Sequence, residues 1–200
     1  AIITGVLPGG SPLLQDEIAS QLKTSKVPVR EALRELEGLG LVKFAPNIGF
    51  SVKPESANEM LECFELRTVL EPLAVRHSLP KATTQHLDEI EKIIDDFDAV
   101  DNPSVNSQWN LKLHLAFYAP ANMSHLENMI VRAHTIAQRY AHIYMRLTSE
   151  DAPGQDEHRA LLQAYRDKDV VLAERLMREH IDVASSDYAE FLQEYFKKSL

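Results

Sequence analysis

The stretch WNLKLH sets Asn110 and His114 four residues apart. On a helix that is about one turn, so an amide oxygen and an imidazole share a face, as two ligands of one metal ion must. Further on, EHRALLQAYRDKDVVLAERLMREH carries His158 before a polar turn, RDKD, and His180 after it. If that turn centres near 168, the two histidines lie ten and twelve residues from it. That is about 15 and 18 Å along antiparallel helices, so they stand at nearly equal height. Asn110, His114, His158 and His180 together make a donor set for a divalent metal ion, zinc foremost, with nickel or manganese as alternatives. The other histidines, His77, His86, His125, His134 and His142, lack comparable partners and are read as structural or exposed.

A second group of residues has different chemistry. Lys26, Arg30 and Arg34 recur every fourth residue in SKVPVREALRELEGLGLVKF. With Val29, Ala32, Leu33 and Leu36 on the inward stripe, the cations project outward, toward solvent or toward a polyanion. A solvated face balanced by Glu31, Glu35 and Glu37 is the plain alternative. Arg67 has Glu71 at i+4, a pair that stabilises an exposed helix by a few tenths of about 1 kcal/mol.

The elements that must position these groups fall into two sets. Residues 14–22 place Leu14, Ile18, Ala19 and Leu22 on one stripe of a short helix. After a tight turn, Ser25 can cap a second helix, with Pro28 in its first turn, where a missing N–H costs little, and with Gly38 and Gly40 at its end. LVKFA and FSVK, separated by PNIG, read as a hairpin. Helix, turn, helix and hairpin is the order of a winged helix-turn-helix, here over residues 1–54, in which the second helix enters a major groove. From 57 to 200 the chain reads as helices near 57–79, 83–100, 105–119, 122–149, 154–167 and 169–196. These are broken at LPKATT, VDNPS, APAN, SEDAPG and RDKD, and they make an all-α six-helix bundle. The fold class is therefore mainly α.

Composition agrees with two unequal parts. Two hundred residues, 44% hydrophobic and 26% charged, suit a small domain joined to a larger one and exclude a disordered chain. Residues 1–56 hold six Lys/Arg against six Asp/Glu, so the whole net charge of −9 belongs to the remainder. A nonspecific polyanion binder is excluded, whereas a neutral module with cations on one face is not. The single cysteine, Cys63, excludes an internal disulfide and a thiolate-rich zinc site. No apolar run approaches the roughly 18 residues of a membrane span, and a cytoplasmic protein without membrane partners is expected.

The segments DEIASQL and PVREALRELEGLGLV, with Pro28, Val29, Arg30, Glu31, Ala32, Leu33, Leu36, Gly40, Leu41 and Val42 matching, resemble the winged-helix domain of the GntR family of bacterial transcription regulators. By that resemblance Lys26, Arg30 and Arg34 face the groove and Gly49 is the tip of the wing. Lys26 stands where the family often has Arg, which keeps a phosphate contact and loses the bidentate fork to guanine. FELRTVLEPLA, NLKLHLAFYAPANMSHL and EHRALLQAYRDKDVVLAERLMREHI resemble the FCD effector-binding domain of the FadR subfamily, in its six-helix VanR-type branch. The resemblance implies a metal on Asn110, His114, His158 and His180. Asn110 stands where the family usually has Asp, a weaker ligand in its place. It also implies Arg67 at the effector pocket, where a guanidinium grips a carboxylate. Arg139, Tyr140 and Tyr144 are further pocket candidates, for which core packing or a dimer surface serves equally well.

The expectation is a homodimeric, metabolite-responsive transcription regulator, a repressor by the family's usual mode. It binds a near-palindromic double-stranded operator and releases it when a small carboxylate or sugar acid reaches the metal. A metal-sensing regulator without an organic effector is one alternative. An all-α metalloenzyme is another, although no motif places a general base and a DNA-binding module would serve no purpose in it.

Overall fold

The computed structural model describes residues 1–99, 103–148 and 155–198 and divides into two compact units, Ala1–Ser56 and Ala57–Leu200. In the first unit the described elements are β1 (Pro12–Leu13), α1 (Gln15–Gln21), α2 (Lys26–Gly38), β2 (Val42–Ala45) and β3 (Gly49–Val52). The second contains α3 (Ala57–Ser78), α4 (Thr84–Asp98), α5 (Pro103–Tyr118), α6 (Ser124–Thr148), α7 (Gln155–Arg166) and α8 (Val170–Lys198), with short 3-10 turns after α3 and α5.

The first unit is a winged helix-turn-helix. Its hairpin is joined by a third strand that the sequence reading lacks: β1 pairs antiparallel with β3, giving the order β1-β3-β2. Val29 and Leu33 of α2 pack with Ala19, Leu41, Val42, Phe50 and Val52, and Leu36 is partly buried against them. Ala32, expected on that inward stripe, is exposed. It lies one residue, about 100°, from Leu33 around the helix, beyond the edge of the stripe. Leu14 and Leu22 are also exposed, because α1 is only seven residues long and both lie outside it. Ser25 occupies the N-cap of α2 in extended conformation, but its side chain makes no capping bond. Gly49, at the end of the wing turn, has φ +97°, a left-handed conformation that favours glycine.

In the helical unit α3 runs through the middle, packed along α8 and α6. It buries Met60, Phe64, Ala74 and Val75 on several sides, and with them the polar residues Arg67, Glu71 and Ser78. The outer helices show one-sided patterns: α4 buries Leu87, Ile90, Ile94 and Phe97, spaced by three or four residues. Thr83 caps α4 by a reciprocal pair with His86, which accounts for that histidine. The helices lie within about three residues of the expected bounds. The breaks read at VDNPS and SEDAPG include residues 100–102 and 149–154, outside the described residues. The RDKD turn brings α7 and α8 together antiparallel, with Lys168 at φ 57°.

Candidate functional site

His114 on α5, His158 on α7 and His180 on α8 are buried and converge. Each offers a ligand atom, and these atoms all lie within 4.8 Å of one another. The Nε2 atoms of His114 and His158 are 3.4 Å apart. Two nitrogens at about 2.0–2.1 Å from a tetrahedral zinc ion are separated by about 3.3–3.4 Å, so this pair already has the spacing of two ligands of one ion. Ring centroids are 5.5 Å apart for His114 and His158, 5.2 Å for His114 and His180, and 4.7 Å for His158 and His180.

Two of the three rings are oriented by carboxylates at Nδ1. His114 Nδ1 lies 2.6 Å from Glu71 Oε2, and His180 Nδ1 lies 2.6 Å from Glu157 Oε2. A carboxylate that accepts a hydrogen bond from Nδ1–H leaves the Nε2 lone pair free, which is how metal-ligating histidines are held. Glu71 is fully buried and also accepts from Arg67 Nε at 2.5 Å and from the Tyr118 hydroxyl. Burial alone would raise its carboxyl, but Arg67 and His114 outweigh that and hold it well below the usual carboxylate range. Burial lowers the His114 imidazole to about 4, with Glu71 opposing only in part. His158 is likewise held well below the ordinary imidazole range by burial, then by the neighbouring His180 and His114. These two imidazoles are thus neutral at physiological pH, the form that binds a metal ion. The donor set, its spacing and its supporting carboxylates fit a divalent ion.

Asn110 is half-buried, one turn before His114 on α5. Arg67 is buried on α3, where its pair with Glu71 forms the back of the histidine cluster and is no surface pair. Arg139 and Tyr140 are buried on α6. The Tyr140 hydroxyl points to Glu59. Glu59 precedes Glu71 by twelve residues on α3, about 18 Å along the axis, so that hydroxyl is directed away from the histidines. Tyr144, partly buried, meets Tyr188 at a tilt and Phe191 edge-on, packed against the core.

Sequence reasoning missed four members of this site. Glu71 and Tyr118 are recognisable only once α3 and α5 are paired. Glu157 immediately precedes His158 and could have been found, since on an adjacent helix it lies within reach of His180. His134, set aside above, lies on α6 with its ring centroid 5.1 Å from that of His114.

In the winged unit Lys26, Arg30 and Arg34 are all exposed on α2. Lys26 Nζ lies 2.6 Å from Asp16 of α1. Arg34 is engaged with the wing: Nη1 donates to Glu37 at 2.6 Å, and its guanidinium lies over the Phe44 ring at 4.3 Å. Glu37 in turn accepts the Phe44 backbone N–H. Of the three cations, Arg30 has no such tie among the described residues.

The family described as "Bacterial regulatory proteins, gntR family" matches residues 1–52, and the FCD domain matches residues 62–183. The "Probable D-xylose utilization operon transcriptional repressor" of Paenarthrobacter nicotinovorans is 28% identical over 185 residues, covering 90% of this chain and 80% of that one. The transcriptional repressor GlaR of Escherichia coli is 27% identical over 193 residues, covering 90% and 87%. Among solved structures, McbR/YncC of Escherichia coli superposes with a TM-score of 0.80 at 26% identity, covering 97% of this chain and 92% of that one.

Proposed function

The chain belongs to the GntR family of transcription regulators, with an FCD domain C-terminal to its winged helix in the sequence, and from that premise we propose that it is a metabolite-responsive repressor. Its histidine cluster holds a divalent metal ion, and a small carboxylate bound there lowers operator affinity. The observation that carries this reading is the convergence of three buried imidazoles, two of them oriented by carboxylates, beside the buried guanidinium of Arg67. His114, His158 and His180 would hold the ion, with Asn110 as a further oxygen donor. A bound divalent ion supplies positive charge that attracts a carboxylate. Arg67, turned toward the same cluster by Glu71, adds a second cation suited to an organic acid.

On the DNA side, Arg30 is the cation supported as the base or phosphate contact, and Lys26 and Arg34 flank it on the same helix. Two copies of the chain would engage the half-sites of a near-palindromic operator. The acid acts by binding more tightly to the conformation with low operator affinity, since a ligand shifts an equilibrium only by its differential affinity for the two states.

The test is a titration of an operator complex, with the operator selected from random duplexes by the full chain. Zinc is added first, then small carboxylic acids at fixed zinc. Release by an acid only after zinc is present is the expected result. Release by zinc alone would instead make the protein a metal sensor, and an unchanged complex throughout would refute the effector reading.

A further inference from the structure

His134 is almost fully buried on α6, and neither of its ring nitrogens has a hydrogen-bond partner among the described residues. A buried imidazole left in that condition loses its hydration without replacement, so a core position without a polar task favours an apolar side chain. The ring does not stand alone in the core. It meets His114 edge-on at 5.1 Å between centroids, at an interplanar angle of 70°. Arg67, Glu71 and His180 also act on it electrostatically. His134 is therefore part of the polar cluster yet outside the set of three mutually close ligand atoms. Nearby, Arg67 spends its Nε on Glu71, and a guanidinium carries further N–H donors suited to a carboxylate.

We propose that His134 is a recognition residue for the effector, reading the hydroxyl groups of a hydroxy acid whose carboxylate is held by Arg67 and the histidine-bound metal. A neutral imidazole has one nitrogen that donates and one that accepts. Hydroxyl groups, each both donor and acceptor, answer both needs, whereas an unsubstituted alkyl acid leaves the ring as it is. Sites built to hydrogen-bond a ligand hydroxyl reject the analogue that lacks it more strongly than apolar pockets discriminate by size. This inference rests on the reading of the cluster as a metal and carboxylate site, and it adds the class of acid.

The experiment uses the zinc-loaded full chain, its His134→Leu and His134→Gln variants, and calorimetric titration with gluconate against hexanoate and malate against succinate. The wild type is expected to prefer a hydroxy acid over its unsubstituted counterpart by about tenfold or more. His134→Leu should reduce that preference to within about twofold, and His134→Gln, which keeps a donor and an acceptor, should retain part of it. Zinc content should be unchanged in both variants. Without zinc or acid, His134→Leu should melt no lower than the wild type, because it removes an unpartnered polar ring. Equal binding of substituted and unsubstituted acids by the wild type, or an undiminished preference in His134→Leu, overturns the inference and leaves the metal and carboxylate reading standing. Failure of all four acids to bind the zinc-loaded wild type overturns both. A lower melting point with loss of all acid binding in both variants assigns His134 to the framework and overturns the inference.

Discussion

Glu71 decides whether the histidine cluster is a site or a packing accident. It is a fully buried carboxylate that neutralises Arg67, orients His114 and accepts from Tyr118. Replacing it with the isosteric amide leaves a guanidinium buried without its counter-charge. Glu71→Gln is expected to destabilise the metal-free protein by about 3–5 kcal/mol in urea denaturation. Where it still folds, zinc affinity should fall about 10- to 100-fold, since the far-side partner of a ligating histidine has that leverage. His158→Ala should lower zinc content by elemental analysis and blunt the response to acid. Residue by residue, the sequence was informative where spacing fixes height. His158 and His180, counted from the RDKD turn, are level, and their rings lie 4.7 Å apart. Spacing could not reveal that α3 is enclosed on several sides, so the weak surface pair that was the plain alternative for Arg67 is in fact a buried ion pair. Nor could it place His134, which comes from another helix at no fixed separation.

At the scale of elements, α2 and the wing act as a unit. Arg34 joins them through Glu37 and the Phe44 ring, so its role is divided between shape and charge. Arg30→Ala is expected to abolish specific operator binding in a gel-shift or anisotropy assay while the thermal melt of the chain is unchanged. Arg34→Ala should weaken binding and also loosen the hairpin, by about 0.5–1 kcal/mol if the guanidinium–ring contact behaves as exposed ones do. Gly49→Ala forces a side chain into the left-handed region and should cost more than about 1 kcal/mol of hairpin stability, readable as earlier amide exchange in β2 and β3. Two helices and a hairpin were legible from apolar periodicity and turn residues. The strand β1 was not, because two residues carry no alternation to read. It is recognisable only by its pairing with β3.

For the molecule as a whole, charge is divided by function. The winged unit is formally neutral with three of its six Lys/Arg on α2, and the helical unit carries all of the net −9. Operator binding should therefore depend on salt through a few phosphate contacts only, with a slope of about −0.9 per contact, and residues 57–200 should not bind duplex DNA. No described helix is long and apolar enough to cross a membrane. If the helical unit is built around a metal-bound effector site, the ion must be held by the three imidazoles. X-ray absorption at the zinc edge, on the full chain loaded with zinc and then dialysed, reads that coordination shell. One tightly held zinc per chain is expected, in a first shell dominated by imidazole nitrogens, with that shell lost in His158→Ala. Zinc that dialyses away, or a shell unaltered in that variant, would show that the three histidines do not form a metal site.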